Sequence, residues 1–187
     1  KWCKRNKYNF SQAKAEEIYG TAKELVPVLP KDEVTKFVIK QAVDQLNSAS
    51  VTVESLRTLM NETAAKLPEY PIVMEMKGVG PSLGPQLISE IGDVTRFHSK
   101  GALTAFAGVD PGVNESGTYS QKSVPTSKRG SADLRKTLFQ VMDALIKTMP
   151  QNDPVYMFLD KKRAQGKPYY VYMTAGANKF LRIYYGR

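Results

Sequence analysis

The residues whose types and spacing point to chemistry begin with two glycines one residue apart. In Met76-Lys77-Gly78-Val79-Gly80-Pro81-Ser82, the pair lets the backbone turn with no side chain in the way. The amides of such a turn, with those at the N-terminus of the next helix, face outward and can bind an anion without a charged side chain. Lys77 and Ser82 can add direct contacts. Contacts of this kind to a nucleic-acid phosphate position a protein and read no sequence. A plain glycine turn between two core helices stays open as the simpler reading, because Gly-x-Gly alone is weak evidence.

Hydroxyls and cations make a second set. Ser116, Ser120, Ser123 and Ser127 lie in a Gly- and Pro-bearing stretch with Lys122, closed by Lys128 and Arg129, and Arg135 follows. A serine hydroxyl is a poor nucleophile until a base or metal activates it. Lys128, Arg129 and Arg135 can hold phosphoryl oxygens. Asn114-Glu115-Ser116-Gly117 is also good turn chemistry, which leaves a purely structural role for Ser116 open. The third set is the tail, where Tyr169, Tyr170, Tyr172, Tyr184 and Tyr185 lie among Lys167, Lys179 and Arg182. That mixture suits stacking and backbone contact with nucleic acid, single strands and RNA included. The alternative is that Tyr170, Tyr172 and Tyr184 mostly fill the core. Cys3 is the only cysteine and His98 the only histidine, which excludes a disulfide, a Cys-rich zinc site and any two-histidine mechanism within the chain.

The elements that must position these residues read as helices throughout. Residues 10–26 form one, ended by Pro27 and Pro30. Asp32 caps a long helix to about Leu67, with neither Pro nor Gly inside. Ile39, Leu46, Val53, Met60 and Leu67 recur every seven residues, with Ala42, Ala49 and Leu56 three residues after the first three. This is a coiled-coil seam, able to pair between chains or to pack on its own domain. Ser48 to Val53 has weak helix propensity and marks a soft point. Pro81 opens a helix with Leu83, Leu87, Ile88 and Ile91 on one face and Gly92 at its end. Ser99 caps another, through Phe106. A loop of about twenty residues, 108–130, follows, and loops of that length are usually functional or disordered. Ser131 and Asp133 start the next helix, Asp153-Pro154 opens a further one ended by Gly166, and Pro168 opens the last. No segment shows strong strand alternation. The fold class is all-α: a coiled-coil-like helical region over 1–69, then a helical domain with the hairpin over 70–187.

The chain has 187 residues, 42% hydrophobic and 24% charged, with 27 Lys plus Arg against 18 acids and a net charge of +9. That is ample for a core, and the basic balance favours a polyanionic partner. Between Lys161 and Arg187 there are seven basic residues and no acid. No apolar run approaches the roughly 18 residues that span a bilayer, and the basic start is no signal peptide. The expectation is a cytoplasmic protein without membrane contact. The first residue is not Met, and the chain is expected to be a fragment of something longer.

From Met76 to Gly92 the stretch resembles the helix-hairpin-helix of sequence-nonspecific DNA-binding proteins. Beyond it the resemblance becomes specific. Asp93-Val94-Thr95-Arg96-Phe97, Leu103 to Pro111, Ser116-Gly117, Ser127-Lys128-Arg129-Gly130 and Leu134-Arg135 follow in order. Then come Asp153-Pro154, Gly166-Lys167-Pro168 and Ala175-Gly176-Ala177-Asn178-Lys179-Phe180-Leu181. The order is similar to the C-terminal transposase domain of Piv-type insertion-sequence transposases, the IS-one-ten group, over about residues 70–187. The resemblance implies a two-part enzyme. An N-terminal RuvC-like domain binds divalent metal (Mg), and the C-terminal domain supplies a nucleophilic serine, matched here by Ser116. The two cooperate across a homo-oligomer to cut and join DNA under a structured guide RNA. Read from the residues themselves, nucleic-acid contacts are expected at Lys77, Gly78, Val79, Gly80, Ser82, Lys122, Lys128, Arg129, Arg135, Lys167, Lys179 and Arg182, with no metal ligand in this chain. A non-catalytic nucleic-acid-binding and dimerisation module is the alternative.

Overall fold

The structure, a computed structural model, describes residues 11–25, 29–30, 32–111, 115–116, 119–120 and 126–187, with the backbone alone at 115, 116, 119 and 120. Two compact units divide the chain, Lys1–Thr52 and Val53–Arg187.

Eight α-helices lie among the described residues. They are α1 (Gln12–Glu24), α2 (Glu33–Ala64), α3 (Tyr70–Glu75), α4 (Leu83–Ile91), α5 (Lys100–Phe106), α6 (Ala132–Thr148), α7 (Pro154–Ala164) and α8 (Tyr169–Tyr184). The fold is all-α apart from a two-residue antiparallel ladder, β1 (Glu115–Ser116) with β2 (Tyr119–Ser120). The sequence carries no alternating pattern to announce that ladder, because two residues are too few to show one.

Side-chain caps set most helix starts, since the first amides of a helix lack intrahelical partners. Ser11 accepts from the Lys14 amide, Asp32 from Thr35, Ser99 from Ala102, Ser131 from Leu134, and Asp153 from both Val155 and Tyr156. The Asp32 carboxyl is held below its ordinary pKa, chiefly by the Thr35 amide. Two boundaries differ from expectation. The α2 helix stops at Ala64 and unwinds through short turns, Lys66 N to Thr63 O and Leu67 N to Ala64 O, because a residue before a proline, here Pro68, disfavours the helical region. The α4 helix begins at Leu83, two residues beyond Pro81.

Ser48–Val53 is helical despite its composition. Ser50 and Thr52 turn their hydroxyls back onto the Leu46 and Ser48 carbonyls at 2.8 and 3.1 Å, which satisfies those groups within the helix. Along α2 the seam residues lie open to solvent: Ile39, Leu46, Val53, Leu56 and Met60 are all exposed.

The core of Val53–Arg187 is built by α4, α6, α7 and α8, with Leu87, Leu138, Met142, Leu145, Leu159 and Phe180 fully buried. Buried polar side chains are paired: Thr137 Oγ1 donates to the Asp133 carbonyl at 3.0 Å and Thr104 Oγ1 to the Gly101 carbonyl at 2.9 Å. Of the tail tyrosines, Tyr184 is buried, Tyr172 and Tyr185 half-buried, and Tyr170 74% exposed. Tyr170 therefore departs from the core reading. It stands at the start of α8, edge-on to Tyr169 at 5.2 Å and tilted against Phe139 at 6.5 Å.

Candidate nucleic-acid interface

The turn between α3 and α4 is a surface corner. Lys77, Pro81 and Ser82 are exposed and Gly78, Val79 and Gly80 half-buried. Its two glycines do different work. Gly78 has φ +81°, and a Cβ there would meet Leu145 Cγ at 2.8 Å and the Val141 carbonyl at 2.9 Å. It seats the turn on α6, in a conformation that favours glycine. Gly80 has ordinary φ, and a Cβ there would meet nothing within 4 Å. It faces open space.

Backbone bonds at the corner run from Val79 N to Met76 O, and from Leu83 N and Gly84 N to Gly80 O. The amides of Gly78, Gly80 and Ser82 donate to no protein acceptor among the described residues. Ser82 caps α4 without a side-chain hydrogen bond. Unpaired amides at a surface corner ahead of a helix are what an incoming anion needs.

The serine segment is stapled at its base. Ser127 Oγ donates to Asp110 Oδ1 at 2.7 Å, Ser127 N reaches Asp110 O at 3.4 Å, and Pro111 bridges Thr126. Gly130 presses against the Phe106 carbonyl so closely that a Cβ would overlap it. Asn178 Nδ2 donates to the Val109 carbonyl at 3.4 Å. Ser131 Oγ donates to Glu90 Oε2 at 3.0 Å, tying the base to the C-terminal end of α4. Ser116 has its backbone in β1, paired with Tyr119. Its side chain, Lys122 and Ser123 lie outside the described residues, as does Cys3.

The cations expected to contact nucleic acid fall into separate places. Lys77 and Ser82 stand at the start of α4, and Lys128 and Arg129, both exposed, lie near its end. Leu83 and Glu90 are about 10 Å apart along α4. Lys128 holds φ +52°. Arg135 is half-buried, and its Nη1 donates to the Ala107 carbonyl at 3.1 Å, so it supports the loop base from within. Lys167 is exposed between α7 and α8. Lys179 and Arg182 share a cleft of about 400 Å³ with Lys100, Asn178 and Phe158. Lys100 is not among the residues that the sequence singles out, and Asn178 figures there only in the tail motif. Lys100 is far in sequence from the basic tail, so only the fold brings it alongside, whereas Asn178 is the neighbour of Lys179 within the tail.

Among the described residues no three His, Cys, Asp or Glu side chains gather as a metal site, and none is assigned to the metal. Asp93 is held below the ordinary carboxylate pKa, first by the Thr95 hydroxyl and then by the Thr95 amide. It caps a turn. His98 is exposed at the edge of α5. No helix among the described residues is long and apolar enough to cross a membrane.

A family model described as Transposase IS116/IS110/IS902 family matches residues 70–156. The chain is similar to an uncharacterized 43.6 kDa protein of insertion element IS110 from Streptomyces coelicolor, 25% identical over 157 residues, 84% of this chain and 38% of the relative. It is similar also to the pilin gene-inverting proteins of Moraxella bovis and Moraxella lacunata. The first is 29% identical over 126 residues, 67% of this chain and 37% of that protein; the second is 28% identical over 114 residues, 61% and 35%. The chain thus spans well under half the length of the curated relatives it matches. The matched segment runs from α3 to the start of α7 and takes in both the amide corner and the stapled serine segment; over residues 70–156 the chain is similar to transposases of the IS110 type.

Proposed function

We propose that this chain takes part in DNA transposition, gripping the DNA backbone through a helix-hairpin-helix and supplying Ser116 as the nucleophile of strand cleavage. The observation that carries the reading is the corner at Gly78–Ser82. Within a transposase domain, it offers three amides without protein acceptors, at the surface, beside the exposed Lys77. A phosphodiester docked there is held by backbone dipoles with Lys77 beside it, and no base is read.

Attack of the Ser116 hydroxyl oxygen on the phosphorus forms a serine–phosphate ester and breaks the bond to a sugar oxygen, which takes up the serine's proton. The ester keeps the bond energy for rejoining to another strand. Lys128 and Arg129 stabilise the charge that builds on the phosphoryl oxygens. A serine of ordinary pKa needs activation, and we assign this to divalent metal, Mg, on the carboxylates of a RuvC-like domain that acts with this one. On the same reading the chain works as a homo-oligomer joined through α2, directed by a guide RNA, in the bacterial cytoplasm at the nucleoid.

The test is Ser116→Ala in the full-length protein. Strand transfer falls below detection while DNA affinity stays within about twofold. Unchanged transposition rules out the serine and leaves the non-catalytic binding module.

A further inference from the structure

We propose that Lys100, Lys179 and Arg182 form a second phosphodiester-binding cleft, which grips the DNA backbone apart from the hairpin corner and beside the root of the serine segment. The proposal rests on the DNA-binding reading above.

The cleft, about 400 Å³, is walled by α5, α7 and α8. Its lining holds three cations, the amide of Asn178, the ring of Phe158 and Ile183, and no carboxylate. None of the three cations forms an ion pair among the described residues. Lys179 Nζ lies over the Phe158 ring at 4.8 Å, and Lys162 Nζ approaches the same ring at 5.5 Å. An aromatic face steadies an ammonium without neutralising it, so the positive potential of the cleft stays intact. Like charges gathered in a concavity repel one another until a polyanion enters, and concave walls concentrate that field. A scatter of solvated lysines needs neither the concavity nor the ring.

Two links tie the cleft to the rest of the interface. Asn178, in its wall, donates to the Val109 carbonyl at 3.4 Å, where the segment leading to Ser116 begins. Ile183 lines both this cleft and a neighbouring cavity of about 360 Å³ whose wall includes Lys77 of the hairpin corner. A strand held at the corner thus has a second basic hold across α8.

The experiment compares Lys100→Gln and Arg182→Gln, exposed positions on different helices, by fluorescence anisotropy with a labelled DNA duplex over a salt series. Each lost phosphate contact lowers the slope of log affinity against log salt by about 0.9, which is about fivefold in affinity near 0.15 M salt. We expect that loss for each variant and about twice the slope change for the pair. Lys147→Gln, exposed on α6, removes the same charge elsewhere and changes the slope less. The proposal is overturned if both cleft variants keep wild-type slope, if Lys147→Gln matches them, or if the loss shows only with an RNA duplex. Gly80→Val tests the hairpin separately: wild-type binding by that variant sinks the corner, and the cleft variants still decide the cleft.

Discussion

Gly78 and Gly80 look alike in the sequence and part company in the fold. At Gly78 a methyl group meets Leu145 and the Val141 carbonyl, on a backbone at φ +81°. Gly78→Ala therefore combines left-handed strain with overpacking, and unfolding by denaturant is expected to show a loss of about 2–4 kcal/mol. Gly80→Val adds its side chain to open space and is expected to stay within about 0.5 kcal/mol of wild type while weakening DNA binding. Equal destabilisation by the two would contradict this division. Tyr184 gives a second prediction. Burial, with a smaller contribution from the charge on Glu69, pushes its hydroxyl up to about 12 from 10.0. A raised tyrosine pKa means that the fold prefers the neutral phenol, so this stabilisation is whole below pH 10 and fades as pH climbs through 12. Tyrosinate absorbance should include a late-titrating group that Tyr184→Phe removes and whose ionisation coincides with loss of helicity; a wild-type titration unchanged by Tyr184→Phe above pH 10 would refute it. Neither distinction is legible from residue type, because both depend on what α6 and α8 bring against the side chain.

Elements were far more legible than their surroundings. Caps such as Ser99, Ser131 and Asp153-Pro154 act within a few residues of themselves, so the sequence displays their effect directly. Tyr170, the loop-base role of Arg135, and Lys100 in the cleft depend on partners dozens of positions away and carry no local signal. The α2 helix falls between these cases. Its seven-residue repeat was readable, and the structure leaves those side chains exposed, from Met60 at 42% to Leu46 at 66%. Each leucine-sized side chain buried in a partner contributes about 1.5–3 kcal/mol, the stabilisation that the proposed pairing through α2 would draw on. Leu46→Lys is expected to lower the sedimenting mass while circular dichroism keeps the helical signal. A wild-type chain that sediments as a monomer at the same concentration would count against pairing through α2.

At the scale of the molecule, the net charge of +9 resolves into local holds rather than a uniform coat. A polar corner, a pair at the end of α4 and the cleft on α8 each suit one phosphate or a few. Overall charge and the acid-free basic run from Lys161 were evident from the sequence; the meeting of Lys100 with Lys179 and Arg182 was not, since it depends on how α5 and α8 meet. The serine segment carries one more consequence. Its two ends are fastened to each other at Pro111–Thr126 and Asp110–Ser127, and to the helices through Phe106 and Glu90. The entropy of closing it is thus met at the neck, where each doubling of length adds only about 0.6 kcal/mol. Because the neck closes independently of what it carries, Ser116→Ala is expected to leave the helical frame at wild-type stability, so a loss of strand transfer in that variant can be read as chemistry and not as unfolding.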